Sequence, residues 1–180
     1  MRVVVVGTSG AGKTVMAARI ASALELPCIE LDRLHWEPNW EALSVTNPDE
    51  FVRRVSAATS ASDGWVSDGN YGVVRDLIWQ RATHLVWLDY SRVVVMYRVI
   101  KRSVARAFDE RELWGGNRED WRRWLRPSHP IRWAWSTWRE RRLRFEELLK
   151  NAEYEHLIVL RPRTPREGAK VIDQLGMSSN

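Results

Sequence analysis

The chain has 180 residues, about one domain's length, and its 44% hydrophobic and 28% charged content excludes a disordered or fibrous protein. A lone cysteine, Cys28, excludes an internal disulfide and a cysteine-built zinc ribbon; apolar runs of only four to five residues exclude a span of ~20 across a bilayer and a signal-peptide core, so a cytoplasmic protein without a membrane partner is expected. The net charge of +5 is uneven, with 14 Arg/Lys against 6 Asp/Glu in residues 98–145, and such a segment calls for an anionic partner: nucleotide, nucleic acid or acidic lipid.

Residues 2–6 are a β-branched run closed by Gly7, the pattern of a buried strand. Residues 13–24 read as a helix, with Val15, Ala18, Ile20 and Leu24 among its apolar positions, and Pro27 ends it. A second short strand over 28–31 leads to Asp32. Asn47-Pro48-Asp49-Glu50 has the chemistry of a helix start, with Asn47 as N-cap and Pro48 at the first position; that helix runs to about residue 62. A third strand, 65–67, ends at Asp68-Gly69, followed by a helix over 73–81 and a fourth strand over 84–88. Ser91 then caps a long helix over 92–108, and 113–117 is a glycine-containing loop. Residues 118–150 read as largely helical, with breaks at Pro127 and Pro130. A fifth strand over 157–160 and a single helix over 165–175 complete the chain. This alternation predicts a parallel sheet with helices on both faces, in one domain covering 1–180. Within 131–149, Ile131, Trp135, Trp138, Phe145 and Leu148/Leu149 recur at helical spacing, which predicts a core stripe.

The strongest motif is Gly7-Thr8-Ser9-Gly10-Ala11-Gly12-Lys13-Thr14, a full G-x-x-x-x-G-K-[ST] between a strand and a helix. Glycines let successive backbone N–H groups face one concavity, and the following helix adds its positive end. Lys13 is placed to reach β- and γ-phosphate oxygens, and the Thr14 hydroxyl to ligate Mg²⁺. The same loop serves GTPases, motors and small-molecule kinases. An Asn-Lys-x-Asp guanine-reading signature is absent, and the fourth strand ends in Leu88-Asp89 without a motor-type acidic pair. Arg98, Arg102 and Arg106, spaced i, i+4, i+8, share one helix face, which suits a lid neutralising a transferring phosphoryl group or a solvated surface.

With these motifs the chain resembles the adenylate-kinase-like small P-loop kinases. The branch it resembles is the one labelled "topology modulation protein" or adenylate-kinase-related ATP-binding protein. The anchors are residues 7–14, Leu31-Asp32-Arg33-Leu34-His35-Trp36, Asp68-Gly69-Asn70-Tyr71, Leu88-Asp89, Arg98 with Arg102, and Glu112-Leu113-Trp114-Gly115-Gly116-Asn117-Arg118-Glu119. The resemblance implies a three-layer α/β fold, a five-stranded parallel sheet in order 2-3-1-4-5, a helical lid over about 98–130, and ATP with Mg²⁺. It assigns Asp32 to the acceptor hydroxyl, Asp68 to Mg²⁺ through water, Arg98 and Arg102 to the lid, and Arg161 to a loop over the adenine. His35, Trp36 and Arg118 fall on the acceptor side. Where adenylate kinases carry Gly-Phe-Pro-Arg, this chain has Gly69-Asn70-Tyr71-Gly72, and the next arginine, Arg75, has a different spacing.

The expected function is transfer of the ATP γ-phosphoryl group to a small-molecule acceptor by a monomer or homodimer. Either aspartate could orient the nucleophile on sequence alone. The alternative is an ATP-regulated nucleic-acid-binding protein, since the basic segment is also rich in tryptophan; no reader motif accompanies it.

Overall fold

Four consecutive valines make β1 (Arg2–Gly7) the centre of the sheet: Val3 and Val5 enter one core cluster and Val4 and Val6 the other, as a strand covered on both faces requires. The computed structural model describes residues 1–108, 114–117 and 130–177. β2 (Cys28–Glu30), β5 (Trp65–Asp68), β6 (His84–Leu88) and β7 (Ile158–Leu160) join β1 in the order β2-β5-β1-β6-β7, all parallel. Numbered as five parallel strands alone, this is the expected 2-3-1-4-5. The register pairs Glu30 with Asp68, Val5 with Asp68, and Gly7 with Leu88, so one edge gathers the ends of four strands. An open α/β sheet binds ligands at that edge.

One face of the sheet carries α1 (Lys13–Ala23), α6 (Arg92–Phe108) and α9 (Val171–Met177). The other carries α4 (Pro48–Ser60) and α5 (Gly72–Arg81). α7 (Pro130–Leu148) contributes to both cores, with Ala134 in the first and Phe145 in the second. Asn47 caps α4 as expected, its side chain accepting from the Glu50 N–H. Among the described residues no helix is long and apolar enough to cross a membrane.

Three features depart from the sequence reading. Between β2 and α4 the chain builds α2 (Leu31–His35), a two-stranded hairpin of β3 (Trp36–Glu37) and β4 (Glu41–Ala42), and α3 (Leu43–Thr46). Asp32 therefore sits in the first turn of a helix. The last helix is divided into α8 (Pro165–Ala169) and α9, with Lys170 capping α8. Trp135 is 57% exposed and stands outside the core stripe, whereas its neighbour Ala134 is fully buried. Trp135 instead lies beneath the Arg92 guanidinium, 3.4 Å from the ring centre, while Arg92 donates to the Trp135 carbonyl at 2.8 Å.

Candidate active site

The β1–α1 turn curls because Gly10 (φ 84°) and Gly12 (φ 93°) take left-handed backbone. They are also tightly packed: a Cβ on Gly10 would lie 2.1 Å from Val99 Cγ2, and one on Gly12 would lie 3.2 Å from Arg98 Nη1. The long helix α6 thus lies directly against the loop. Gly7 and Thr8 form its buried base, with the Thr8 carbonyl accepting from the Ala11 N–H at 3.0 Å and from Lys13 Nζ at 3.4 Å. Ser9, Gly10, Ala11, Gly12, Lys13 and Thr14 border a cleft of about 820 Å³.

Two carboxylates face the same cleft. Asp68, at the end of β5 and only 4% exposed, accepts from Thr14 Oγ1 at 2.6 Å. Burial pushes its carboxyl pKa up, while the Thr14 bond and Lys13 pull it down. Asp32 accepts from the Tyr71 hydroxyl. Burial, and then the Asp32 charge, push the Tyr71 hydroxyl pKa well above its usual value, so it remains a donor. Lys13 completes the cluster; burial lowers its ammonium to about 8, with Asp32 and Asp68 acting in the opposite direction.

Cations approach from two helices. Arg98 Nη1 donates to the Ala11 carbonyl at 2.7 Å and its guanidinium lies 4.9 Å from the Tyr90 ring; Arg102 Nη2 donates to Ser9 Oγ at 3.5 Å. Arg141, from α7, lines the cleft too. The side chain of Arg106, and Arg118 with most of the expected lid, lie outside the described residues.

Five further residues contribute, none of them among the expected site residues, although Asn70, Tyr71, Trp114 and Asn117 stand in the anchors of the resemblance. Asn70 braces the loop, its Oδ1 accepting from the Gly7 N–H at 3.3 Å and its Nδ2 donating to the Gly7 carbonyl. With Tyr71 on Asp32, the Asn70-Tyr71 pair ties the phosphate loop to the second carboxylate. These residues were visible as the departure from Gly-Phe-Pro-Arg. Arg141 was hidden in an arginine-rich run. Trp114 also lines the cleft and donates to Glu30 Oε2 at 3.4 Å. Buried Asn117 seats this segment on the hairpin: its Oδ1 accepts from the Trp40 N–H at 2.8 Å, and its Nδ2 donates to the Glu37 carbonyl at 2.9 Å.

Besides Gly7 and Thr8 at the loop's base, three expected site residues, His35, Trp36 and Arg161, do not line the cleft. His35 is 2% exposed, bonds Ser44 Oγ through Nε2 at 2.8 Å, and packs among Trp36, Phe51 and Tyr71. Trp36 packs edge-on against His35 and Trp40. Arg161 is held by Asp89 at 2.8 Å and Glu146 at 2.5 Å, and covers the Trp87 ring at 3.8 Å. Its charge is taken up in joining β6, α7 and β7, and it leaves the cleft's far end to Tyr90, Pro165 and Gly168.

The loop geometry fits a polyphosphate: the close-packed glycines leave its backbone bare of side chains beside one ammonium and two guanidiniums. The Thr14 hydroxyl and Asp68 carboxylate fit Mg²⁺, a hard cation that takes one or two protein oxygens and keeps several waters. Among the described residues no three His, Cys, Asp or Glu side chains form an all-protein metal cage.

No protein-family model matches the chain, and no curated protein matches it. Solved structures do. A gluconokinase from Sinorhizobium meliloti 1021 is 19% identical with a TM-score of 0.50, over 99% of this chain and 97% of that one. A shikimate kinase from Acinetobacter baumannii in complex with shikimate is 16% identical with a TM-score of 0.60, over 99% and 94%. A shikimate kinase from Bacteroides thetaiotaomicron is 17% identical with a TM-score of 0.51, over 99% and 97%. At these identities the likeness bears on architecture: the chain has the α/β fold and sheet order of the small P-loop kinases.

Proposed function

We propose that the protein is an ATP- and Mg²⁺-dependent kinase that moves the γ-phosphoryl group of ATP to a hydroxyl of a small molecule. The observation that carries this is the 2.6 Å bond from Thr14 Oγ1 to Asp68 Oδ2, within a cleft that also holds Lys13 and Asp32. A phosphate loop, a metal-holding pair and a separate carboxylate are the parts that phosphoryl transfer needs. The motif anchors support membership of the adenylate-kinase-related branch.

In this reading the loop amides and Lys13 hold the phosphates, and Arg98 turns from the Ala11 carbonyl and Arg102 from the Ser9 hydroxyl to the phosphoryl charge as it develops. Thr14 and Asp68 would hold Mg²⁺, which supplies charge neutralisation at the phosphates when bound. Asp32, oriented by Tyr71, accepts the proton of the acceptor hydroxyl as its oxygen bonds to the γ-phosphorus and the bond to the β-phosphate oxygen breaks, releasing ADP. The bond between Asp68 and Thr14 favours the metal role for Asp68 and the acceptor role for Asp32. Arg98 and Arg102 face the loop, which favours this reading over nucleic-acid binding by the basic segment. The test is ADP release from ATP·Mg²⁺ across nucleosides, nucleoside monophosphates and hydroxyl metabolites. Acceptor-dependent release that Lys13→Ala abolishes is expected; acceptor-independent release would contradict it.

A further inference from the structure

The helix α2 is only five residues long, and its two ends hold one side chain between them. Asp32, in its first turn, accepts from the Tyr71 hydroxyl. His35, at its last position, lies against the Tyr71 ring, with centroids 4.2 Å apart and planes inclined by 33°. Residues i and i+3 stand on one side of a helix, so the same short element grips Tyr71 by its hydroxyl and by its ring. His35 is itself held. Its Nε2 and Ser44 Oγ, from α3, are hydrogen-bonded at 2.8 Å, and the rings of Trp36 and Phe51 meet it edge-on at 4.5 and 5.1 Å. Its Nδ1 is buried and meets no hydrogen-bond partner among the described residues, so Ser44 is the polar tether that fixes the direction of the ring. Burial lowers the His35 pKa, against the pull of Asp32, which keeps the imidazole uncharged behind the tyrosine at neutral pH.

We propose that His35 is a positioning residue for Asp32: tethered by Ser44, it backs the Tyr71 ring and so sets where the Tyr71 hydroxyl holds the Asp32 carboxylate. Its consequence for catalysis rests on the kinase reading; the positioning itself rests on the geometry of α2. Asp32 and Tyr71 line the phosphate-loop cleft, whereas His35 stands behind them and acts only through the tyrosine. Displacing a reacting group by about 1 Å can cost about 100-fold in rate. A helix of little more than one turn has almost no hydrogen-bond ladder to resist such a shift. The clamp of Asp32, Tyr71, His35 and Ser44 supplies the stiffness instead.

The test is nuclear magnetic resonance of the intact chain carrying tyrosine labelled with carbon-13 at Cζ, the atom that bears the hydroxyl. Tyr71→Phe identifies the Tyr71 signal, and Asp32→Asn marks its position without a carboxylate partner. Ser44→Ala and His35→Phe are each expected to move the signal toward the Asp32→Asn position, and Ser44→Thr, which keeps a hydroxyl, to leave it at the wild-type position. Leu175→Ala, which opens a cavity in the core on the other face of the sheet, is expected to lose stability without moving the signal. In the ADP-release assay Ser44→Ala should lower kcat about fivefold with the KM for ATP within about twofold, a split that lost stability alone does not produce, and Ser44→Thr should restore it. A Tyr71 signal unmoved in folded Ser44→Ala, or moved as far by Leu175→Ala, would overturn the proposal, whether or not His35→Phe folds. Absence of turnover with every acceptor in the wild-type chain defeats the kinase reading, while the resonance still decides whether His35 positions Asp32.

Discussion

Tyr71 reaches across 39 positions of chain to donate its hydroxyl to Oδ1 of Asp32, joining the segment after β5 to the first turn of α2. One residue earlier, Asn70 holds Gly7 by both its N–H and its carbonyl. A three-residue segment after Asp68 thus ties the phosphate loop and the carboxylates of Asp68 and Asp32 into one frame. Positioning of this kind is where small-molecule kinases gain most of their rate.

Tyr71→Phe removes the donor and keeps the ring packed against His35 and Phe51. The expected result is a kcat lowered about 10-fold, with the KM for ATP within about twofold of wild type and stability reduced by about 1 kcal/mol. Steady-state kinetics and urea unfolding measure the two effects.

Lys13 sets a pH dependence. Its ammonium, lowered to about 8, is the form that attracts phosphate. Nucleotide affinity of the free protein is therefore full below about 8 and weakens as the pH rises through that value, about tenfold per unit beyond it. Titration calorimetry should show proton uptake on ATP·Mg²⁺ binding near and above that pH. In Lys13→Ala the profile should be flat and weak throughout.

Asp68 separates stability from activity. Its folded pKa is raised, so between the unfolded value and the folded one the native state holds more protons than the unfolded chain. Stability contributed by this group therefore falls as pH rises through that window, and the charged carboxylate weighs against folding at neutral pH. Asp68→Asn keeps an acceptor for Thr14 and removes the charge. Without Mg²⁺ the variant should melt higher than wild type at neutral pH and lower its advantage in acid; its turnover should fall at least about 100-fold.

Arg161 belongs to the scaffold. It and Arg142 satisfy Asp89, whose side chain is 3% exposed. Arg161→Ala should cost about 2 kcal/mol or more by leaving that carboxylate half-satisfied, while the KM for ATP stays within about twofold. Denaturant unfolding and ATP titration check the pair of outcomes.

The strands were legible as short, largely apolar runs, the first four leading into glycine or aspartate, whereas their order came only with the family resemblance; the phosphate loop was legible because its chemistry admits few residue types. The segment 31–46 was not: its elements are two to five residues long, too short for either periodicity, and His35 is held by aromatic packing that no spacing encodes. Trp135 matched the helical stripe, but close packing of α6 on α7 selects the small Ala134 for the core and moves the indole out under Arg92. Arg161 follows the fifth parallel strand as expected, yet the buried Asp89 captures it. Arg141 needed the third dimension, because only the path of α7 brings it to the phosphate-loop cleft.

The most direct measurement follows ATP labelled at the γ-phosphate, with Mg²⁺ and a panel of nucleosides, nucleoside monophosphates and hydroxyl metabolites. The label is expected on a hydroxyl of one acceptor, with transfer lost in Lys13→Ala and in Asp32→Asn while the latter still binds ATP. Label remaining on ATP, or released only as inorganic phosphate with every acceptor, would contradict the assignment.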